Sequence, residues 1–281
     1  ATAAKAANGA SRISLKSKLS PAGPKAPDTT MKMRAYVLHL ERATARRANA
    51  ERLLETCGVS GKLWPATNGA DLSQKDLATS TGAHLFDPYY PFPLRTGEVG
   101  CFLSHRKIWA EIIESDLDCA IIFEDDVKLD EVAFKTALEL AQRNVNALGY
   151  IQLQNRPPSG NGRLVDQVDE FTLSIPTITP LRASAQMISK DAAKLLFHKS
   201  KRFDRPVDTF VQSHWHTGLR PGVIYPAGVN TIAAELDGST IQGGHKPLGT
   251  RLKRELSRAI YRRRVRHHSY QSSAPLMQNE V

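Results

Sequence analysis

Cys119-Ala120-Ile121-Ile122-Phe123-Glu124-Asp125-Asp126 is the stretch on which the fold turns: an apolar run that ends abruptly in three carboxylates. A run this short, with Ile and Phe at its centre, reads as a strand buried on both faces. In an open α/β sheet, ligands bind beyond the carboxyl ends of the strands, so a strand that delivers acids there points to a cation or phosphate site. A core strand followed by a solvated acidic turn is the alternative. The surrounding sequence has to choose.

Immediately upstream, residues 98–115 are predicted to be helical, because Cys101, Phe102, Ile108, Trp109, Ile112 and Ile113 recur at helical spacing. That helix opens with Gly97-Glu98-Val99-Gly100-Cys101-Phe102-Leu103-Ser104-His105. Glycines at a helix start allow close backbone approach, and the unpaired N–H groups with the helix dipole favour an anion such as a pyrophosphate. A simple turn device is the other reading of Gly97 and Gly100. His105 stands one turn from both Cys101 and Trp109, so it faces inward, either as a core histidine or as part of a cleft wall beside Ser104.

Further out, the pattern alternates. Strands are predicted at 34–40, 63–66, 150–153, 185–188 and 222–225, and helices at 44–57, 131–144, 190–198 and 208–217. Residues 71–93, punctuated by Gly and Pro, read as an irregular excursion with one short helix, and 156–162 as a loop. The fold class is α/β: a mainly parallel sheet flanked by helices.

The hydrophobic content of 41% suffices for a core, and no apolar run reaches the roughly 18 residues that cross a bilayer. The net charge of +10 is carried by the two ends. Residues 1–30 hold five Lys/Arg against Asp28, and 251–281 hold eight against Glu255 and Glu280, which leaves 31–250 neutral. Residues 1–30, poor in large apolar side chains, read as a disordered leader or an upstream extension ahead of Met31-Lys32-Met33. Residues 31–250 form the main domain and 251–281 a basic, partly helical tail. Leu252, Leu256, Ala259 and Ile260 fall on one face of that tail, with Lys and Arg opposite. Such a helix over 251–268 suits an anionic membrane surface, with a solvated tail or nucleic acid as the alternatives. The neutral body argues against nucleic acid, and none is expected as a partner. Cys57, Cys101 and Cys119 indicate neither a disulfide framework nor a zinc site and fit a reducing cytoplasm.

Six segments, in order across roughly 33–241, resemble glycosyltransferase family 25, bacterial lipopolysaccharide and lipooligosaccharide enzymes related to collagen galactosyltransferases. They are Tyr36-Val37-Leu38-His39-Leu40 with Arg46-Arg47, residues 66–69, the Gly97 to His105 block, residues 121–126, residues 188–196, and Pro206-Val207-Asp208. Residues 181–187 depart from the family's pattern, and 154–166 carry none. The resemblance implies a GT-A-like fold that transfers a sugar, usually galactose, from a UDP-sugar donor to a glycolipid or glycan acceptor with inversion. Mn²⁺ or Mg²⁺ is the implied cofactor. Glu124-Asp125-Asp126 takes the place of the family's Asp-x-Asp-like motif, with Asp126 the most direct metal ligand, Glu124 beside it, and His245 completing the site. Leu38, His39, Arg46, Asn68, Gly97, Gly100, Ser104, His105, Glu124 and Asp125 are the expected donor-binding residues. Single displacement needs a base for the acceptor hydroxyl; Asp208 is the first candidate, though an N-cap is its other reading, and Glu235 and Asp237 follow. The implied location is cytoplasmic, peripheral at the inner face of the cytoplasmic membrane. A catalytically silent glycan-binding or membrane-associated assembly protein is the second functional class.

Overall fold

The computed structural model describes residues 31–233 and 248–276, with the side chains of 248–252 left aside. The predicted leader 1–30 and the candidates Glu235, Asp237 and His245 lie outside the described residues. Strands are β1 (Met33–His39), β2 (Gly61–Pro65), β3 (Cys119–Glu124), β4 (Val127–Leu129), β5 (Tyr150–Leu153), β6 (Gly162–Val168), β7 (Phe171–Pro176), β8 (Ala185–Ser189), β9 (Gly222–Tyr225) and β10 (Val229–Thr231). Helices are α1 (Thr44–Thr56), α2 (Gln74–Ser80), α3 (Thr96–Glu114), α4 (Glu131–Leu148), α5 (Lys190–Lys199), α6 (Val207–Gln212), α7 (His214–Thr217) and α8 (Leu248–Gln271).

Eight strands form one sheet in the order β2-β1-β3-β8-β5-β9-β7-β6, and β10 pairs with β4 in a small second sheet. β1, β2, β3, β5, β9 and β6 point the same way, while β8 and β7 run against them. The sheet is therefore mainly parallel in direction, as its alternating elements predict, and mixed in its ladders. Both faces are covered. On one, Val37, Ile121, Phe123, Ile151 and Met187 pack against Leu53 of α1 and Phe134, Leu140 and Val145 of α4. On the other, Tyr36, Ala120, Ile122 and Ile188 meet Phe102, Ile108, Trp109 and Ile112 of α3, together with Leu196 of α5 and Phe210 of α6. The i, i+3, i+4 spacing in α3 is what lets one helix cover three adjacent strands.

Three elements differ from expectation. A hairpin, β6–β7, occupies part of the stretch that carried no pattern; its turn at Asp169 takes a left-handed φ of 50° without a glycine. The helix expected at 208–217 is broken at Ser213 into α6 and α7. α8, expected over 251–268, runs on to Gln271 and turns part of its basic face inward. Val265 is buried, whereas Leu256 and Ile260 are 62% and 48% exposed. The guanidinium groups of Arg254 and Arg258 lie 4.8 and 5.5 Å from the Phe92 ring centroid. Part of the basic face thus lies against the body, its arginine stems covering apolar surface. Among the described residues no helix is long and apolar enough to cross a membrane.

Candidate functional site

A cleft of about 220 Å³ opens beyond the C-terminal ends of β1, β2 and β3, against the first turn of α3. Of the residues singled out in the sequence, Leu38, Arg46, Asn68, Gly97, Ser104, Glu124, Asp125 and Asp126 line it. β3 stops at Glu124, so Asp125 and Asp126 form the turn into β4. Asp125 and Asp126 are therefore placed by the turn, not by the two-residue alternation of a strand.

The three carboxylates have separate surroundings. Asp125 is buried: its Oδ2 lies 2.9 Å from His39 Nδ1, and its Oδ1 accepts from Arg46 Nη1 at 2.9 Å. Asn49 Nδ2 donates to the carbonyls of Asp125 and Val127 at 2.9 and 2.8 Å. Arg46 and Asn49 lie three apart on α1, so one helix face holds the whole turn. Asp125 is therefore engaged in support, and His39, which does not line the cleft, serves Asp125. Asp126 is different. Its Oδ2 stands 3.8 Å from Arg46, while its Oδ1 is buried without a partner among the described residues. Burial raises its pKa against the opposing pull of Arg46. Glu124 is pushed up to about 8 by burial and by the charge of Asp126, although Ser184 Oγ donates to it at 3.2 Å. Two acids are thus brought together with too little positive charge to ionise them both.

A second donor set touches the same spot. Cys101, His105 and Glu124 offer ligand atoms that all lie within 4.8 Å of one another. Burial pushes His105 down to about 4 and the Cys101 thiol well up. His105 Nδ1 is 3.3 Å from Gln186 Nε2, and its Nε2 has no partner among the described residues. The sulfur and imidazole would suit a softer ion such as Zn²⁺, whereas the Glu124–Asp126 pair suits a hard one such as Mg²⁺ or Mn²⁺.

The opposite wall is the 67–70 loop. Ser104 Oγ accepts from Thr67 N–H at 2.8 Å and donates to the Gly100 carbonyl at 2.7 Å. Gly100 itself lies beneath this loop rather than in the cleft lining. A Cβ there would meet Thr67 O at 2.5 Å and Gly69 N at 2.7 Å. Gly100→Ala is accordingly expected to destabilise the chain by about 1–3 kcal/mol through overpacking. The helix-propensity gain of about 1 kcal/mol works the other way and is too small to win. A melting temperature at or above wild type would refute this account.

Asp208 does not line the cleft. Pro206 is the N-cap of α6, and Asp208 sits in its first turn, accepting from Thr209 N–H at 2.6 Å and Arg182 N–H at 3.2 Å. Its charge nevertheless reaches Glu124 and Cys101, raising both. Sequence reasoning missed Cys101, Asn49, Ser184 and Arg182 as parts of this region. Cys101 had a signal in its place one turn before His105. Ser184 and Arg182 had none, because only the pairing of Phe123 with Ala185 brings that segment to the end of β3.

Fold and cleft together define an α/β domain that presents carboxylates and a helix N-terminus beyond its strand ends. Residues 32–161 match the family described as glycosyltransferase family 25 (LPS biosynthesis protein), a stretch that contains all the cleft-lining residues named above. The recognisable glycosyltransferase family 25 domain of this chain is thus the part that carries the cleft. Among curated proteins, the chain is similar to a glycosyltransferase 25 family member of Aedes aegypti, 31% identical over 71% of this chain and 34% of that protein. It is also 36% identical to procollagen galactosyltransferase 1-A of Xenopus laevis, over 41% of this chain and 19% of that protein. A probable inactive glycosyltransferase 25 family member 3 of Bos taurus is 36% identical over 44% of this chain and 21% of its own length. The chain spans between about a fifth and a third of the length of these relatives.

Proposed function

We propose that the chain transfers a sugar, galactose in the first instance, from a UDP donor to a lipopolysaccharide-type glycan with inversion. The observation that carries this reading is the Asp126 Oδ1, without a partner among the described residues, beside Glu124 at the end of β3 in the cleft that the first turn of α3 also lines. The residues fit a hard divalent cation, because two desolvated acids meet there and Arg46, 3.8 Å from Asp126, is already engaged by Asp125. Asp126 and Glu124 would hold Mn²⁺ or Mg²⁺, which supplies neutralisation of the charge growing on the departing UDP. Arg46 and His39 fix Asp125 and thereby the turn that aims Asp126. Gly97 and Thr96, at the start of α3, offer N–H groups to the diphosphate. Asp208 is the proposed base. As the acceptor oxygen bonds to the anomeric carbon and the bond to UDP breaks, Asp208 takes the acceptor's proton and UDP leaves with the electron pair.

The acceptor side of the proposal draws on the family's description and on α8. Its exposed Leu256 and Ile260, beside Arg263 and Arg264, suit the inner, anionic face of the cytoplasmic membrane.

The test is UDP release from UDP-galactose and other UDP-sugars by the purified chain, with Mn²⁺ and with EDTA. Mn²⁺-dependent release is expected, and release indifferent to EDTA would sink the metal-assisted mechanism. A catalytically silent glycan-binding protein is the second reading, favoured by the similarity to a relative named probable inactive. It predicts glycan binding with no turnover of any UDP-sugar.

A further inference from the structure

A second cavity, of about 550 Å³, lies between α8 and the segments that follow β5 and β7. Five arginines line it: Arg156, Arg182, and Arg258, Arg262 and Arg266 from successive turns of α8. No Asp or Glu is among its lining residues. Arg258 is paired with Glu255, and Arg182 Nη1 donates to Asn155 Oδ1 at 2.8 Å. For Arg156, Arg262 and Arg266, no carboxylate among the described residues stands within ion-pair distance. Three of the five belong to the basic stretch 251–281, and Arg156 and Arg182 come from the part of the chain that is neutral overall. Three guanidinium groups at i, i+4 and i+8 on one helix face repel one another unless an anion lies between them.

The cavity adjoins the proposed chemistry. Arg182 lines it, and the N–H of the same residue donates to Asp208 at 3.2 Å. The Arg182 charge also acts on Asp126, and the Asp208 charge on Tyr90 and Tyr261, two aromatic members of the cavity wall. The charge of Asp208 thus reaches both the donor cleft and this cavity. Arg182 has a left-handed φ of 95°, a conformation that costs a non-glycine residue about 1–3 kcal/mol and is concentrated at functional sites. Tyr90 and Tyr261, with ring centroids 5.5 Å apart, give the wall flat apolar surface for a sugar ring.

We infer that this cavity is the acceptor subsite and that it takes an acidic saccharide, one bearing phosphate or carboxylate near the hydroxyl that receives the sugar. The inference rests on the transferase reading for the word acceptor, but its binding component stands alone. Guanidinium groups match both anions bidentately, and a cluster of them discriminates an acidic from a neutral sugar by charge as well as geometry.

The experiment is saturation-transfer NMR and calorimetry on the full chain with glucose 6-phosphate and galacturonic acid, against glucose and galactose. The acidic sugars are expected to bind at least tenfold more tightly than their neutral counterparts, and the stronger of the two identifies the anion. Arg262→Glu combined with Arg266→Glu changes two exposed positions; it is expected to weaken acidic-sugar binding at least tenfold while leaving UDP affinity and melting temperature unchanged. The Lys pair at the same positions should fall between. Equal binding of neutral and acidic sugars, or an affinity indifferent to charge reversal, overturns the inference. So does charge reversal that affects only binding to phosphatidylglycerol vesicles, which would make the stripe a lipid contact. If acidic sugars bind and UDP-sugars do not, the donor reading fails while the anionic site stands; the reverse result fails the site and spares the donor reading.

Discussion

Asp126→Asn is expected to lower sugar transfer by about 10²–10³-fold, the usual loss when one charge-stabilising group is removed from a transition state. The same change should raise the melting temperature of the metal-free chain. Both follow from one arrangement. Asp126 is a buried acid whose Oδ1 has no partner among the described residues, and its charge helps to push Glu124 up to about 8. Neutralising Asp126 removes a desolvated charge and a repulsion, a gain on the order of 1 kcal/mol, equivalent to about one pKa unit. The sign can be checked against pH. A carboxyl whose folded-state pKa lies above its unfolded value contributes stability below the unfolded pKa, and loses it as pH rises through the folded one. For Glu124 that window runs from its ordinary 4.5 to about 8. The advantage of Asp126→Asn should therefore grow across this interval, as Glu124 ionises beside a second negative charge only in the wild type. Mn²⁺ should reverse the order by stabilising wild type alone, by about 2.7 kcal/mol at a hundredfold excess over Kd. Melting curves with and without Mn²⁺, together with UDP release, test this. Turnover within twofold of wild type would remove Asp126 from the site.

How much of this could be read in the chain depended on the range of the signal. The strand 119–124 and helix 96–114 were legible because burial on both faces and a 3.6-residue stripe are local patterns. The hairpin 162–176 was not. Its edge strand β6 alternates poorly, with Arg163, Asp166 and Gln167 outside the core, and its turn lacks the Asn-Gly or Asp-Gly that announces a tight hairpin. In the site, the grouping of Leu38, Asn68, Gly97 and the acids was foreseeable from the resemblance and from the rule that ligands sit beyond strand ends. The division of labour within the triplet was not, because it is set by α1: which carboxylate Arg46 reaches cannot be known before the helix is placed. Which side of α8 faces the body was not legible, for a related reason. Amphipathic spacing marks a face as apolar, but the partner that covers either face is a matter of tertiary structure. Here Phe92 and the second cavity draw in arginines, and Leu256 stays outside.

Arg205→Met should destabilise the chain by about 3–5 kcal/mol, the largest single loss of stability expected here. Arg205 is fully buried and its guanidinium reaches four parts of the fold. Nε donates to Asp204 Oδ1 at 2.7 Å, and Nη2 to the carbonyls of Phe86 and Pro88 at 2.8 and 3.1 Å. Nη1 lies 3.3 Å from both Ser213 Oγ, at the α6–α7 break, and Tyr261 of α8. Asp204 in turn accepts from the N–H of Leu85 at 2.8 Å. In the irregular 82–93 segment, which has no ladder of its own, Leu85, Phe86 and Pro88 thus take backbone partners from one adjacent ion pair. Met fills much of the volume, so the cost is chiefly the carboxylate of Asp204 left buried without its counter-charge, together with two orphaned carbonyls. The double variant Asp204→Asn, Arg205→Met should consequently recover part of the loss, although the two changes are individually destabilising. Positive coupling of about 1–3 kcal/mol in that cycle is the expected signature of neighbours in one network. Because Tyr261 also lines the arginine-rich cavity, the single variant should weaken acidic-sugar binding even at temperatures where it remains folded. Chemical denaturation of the four species decides the matter. Additive losses, or a single variant within 1 kcal/mol of wild type, would mean that water or backbone adjustment satisfies Asp204 and that the clamp is not what holds this side of the fold.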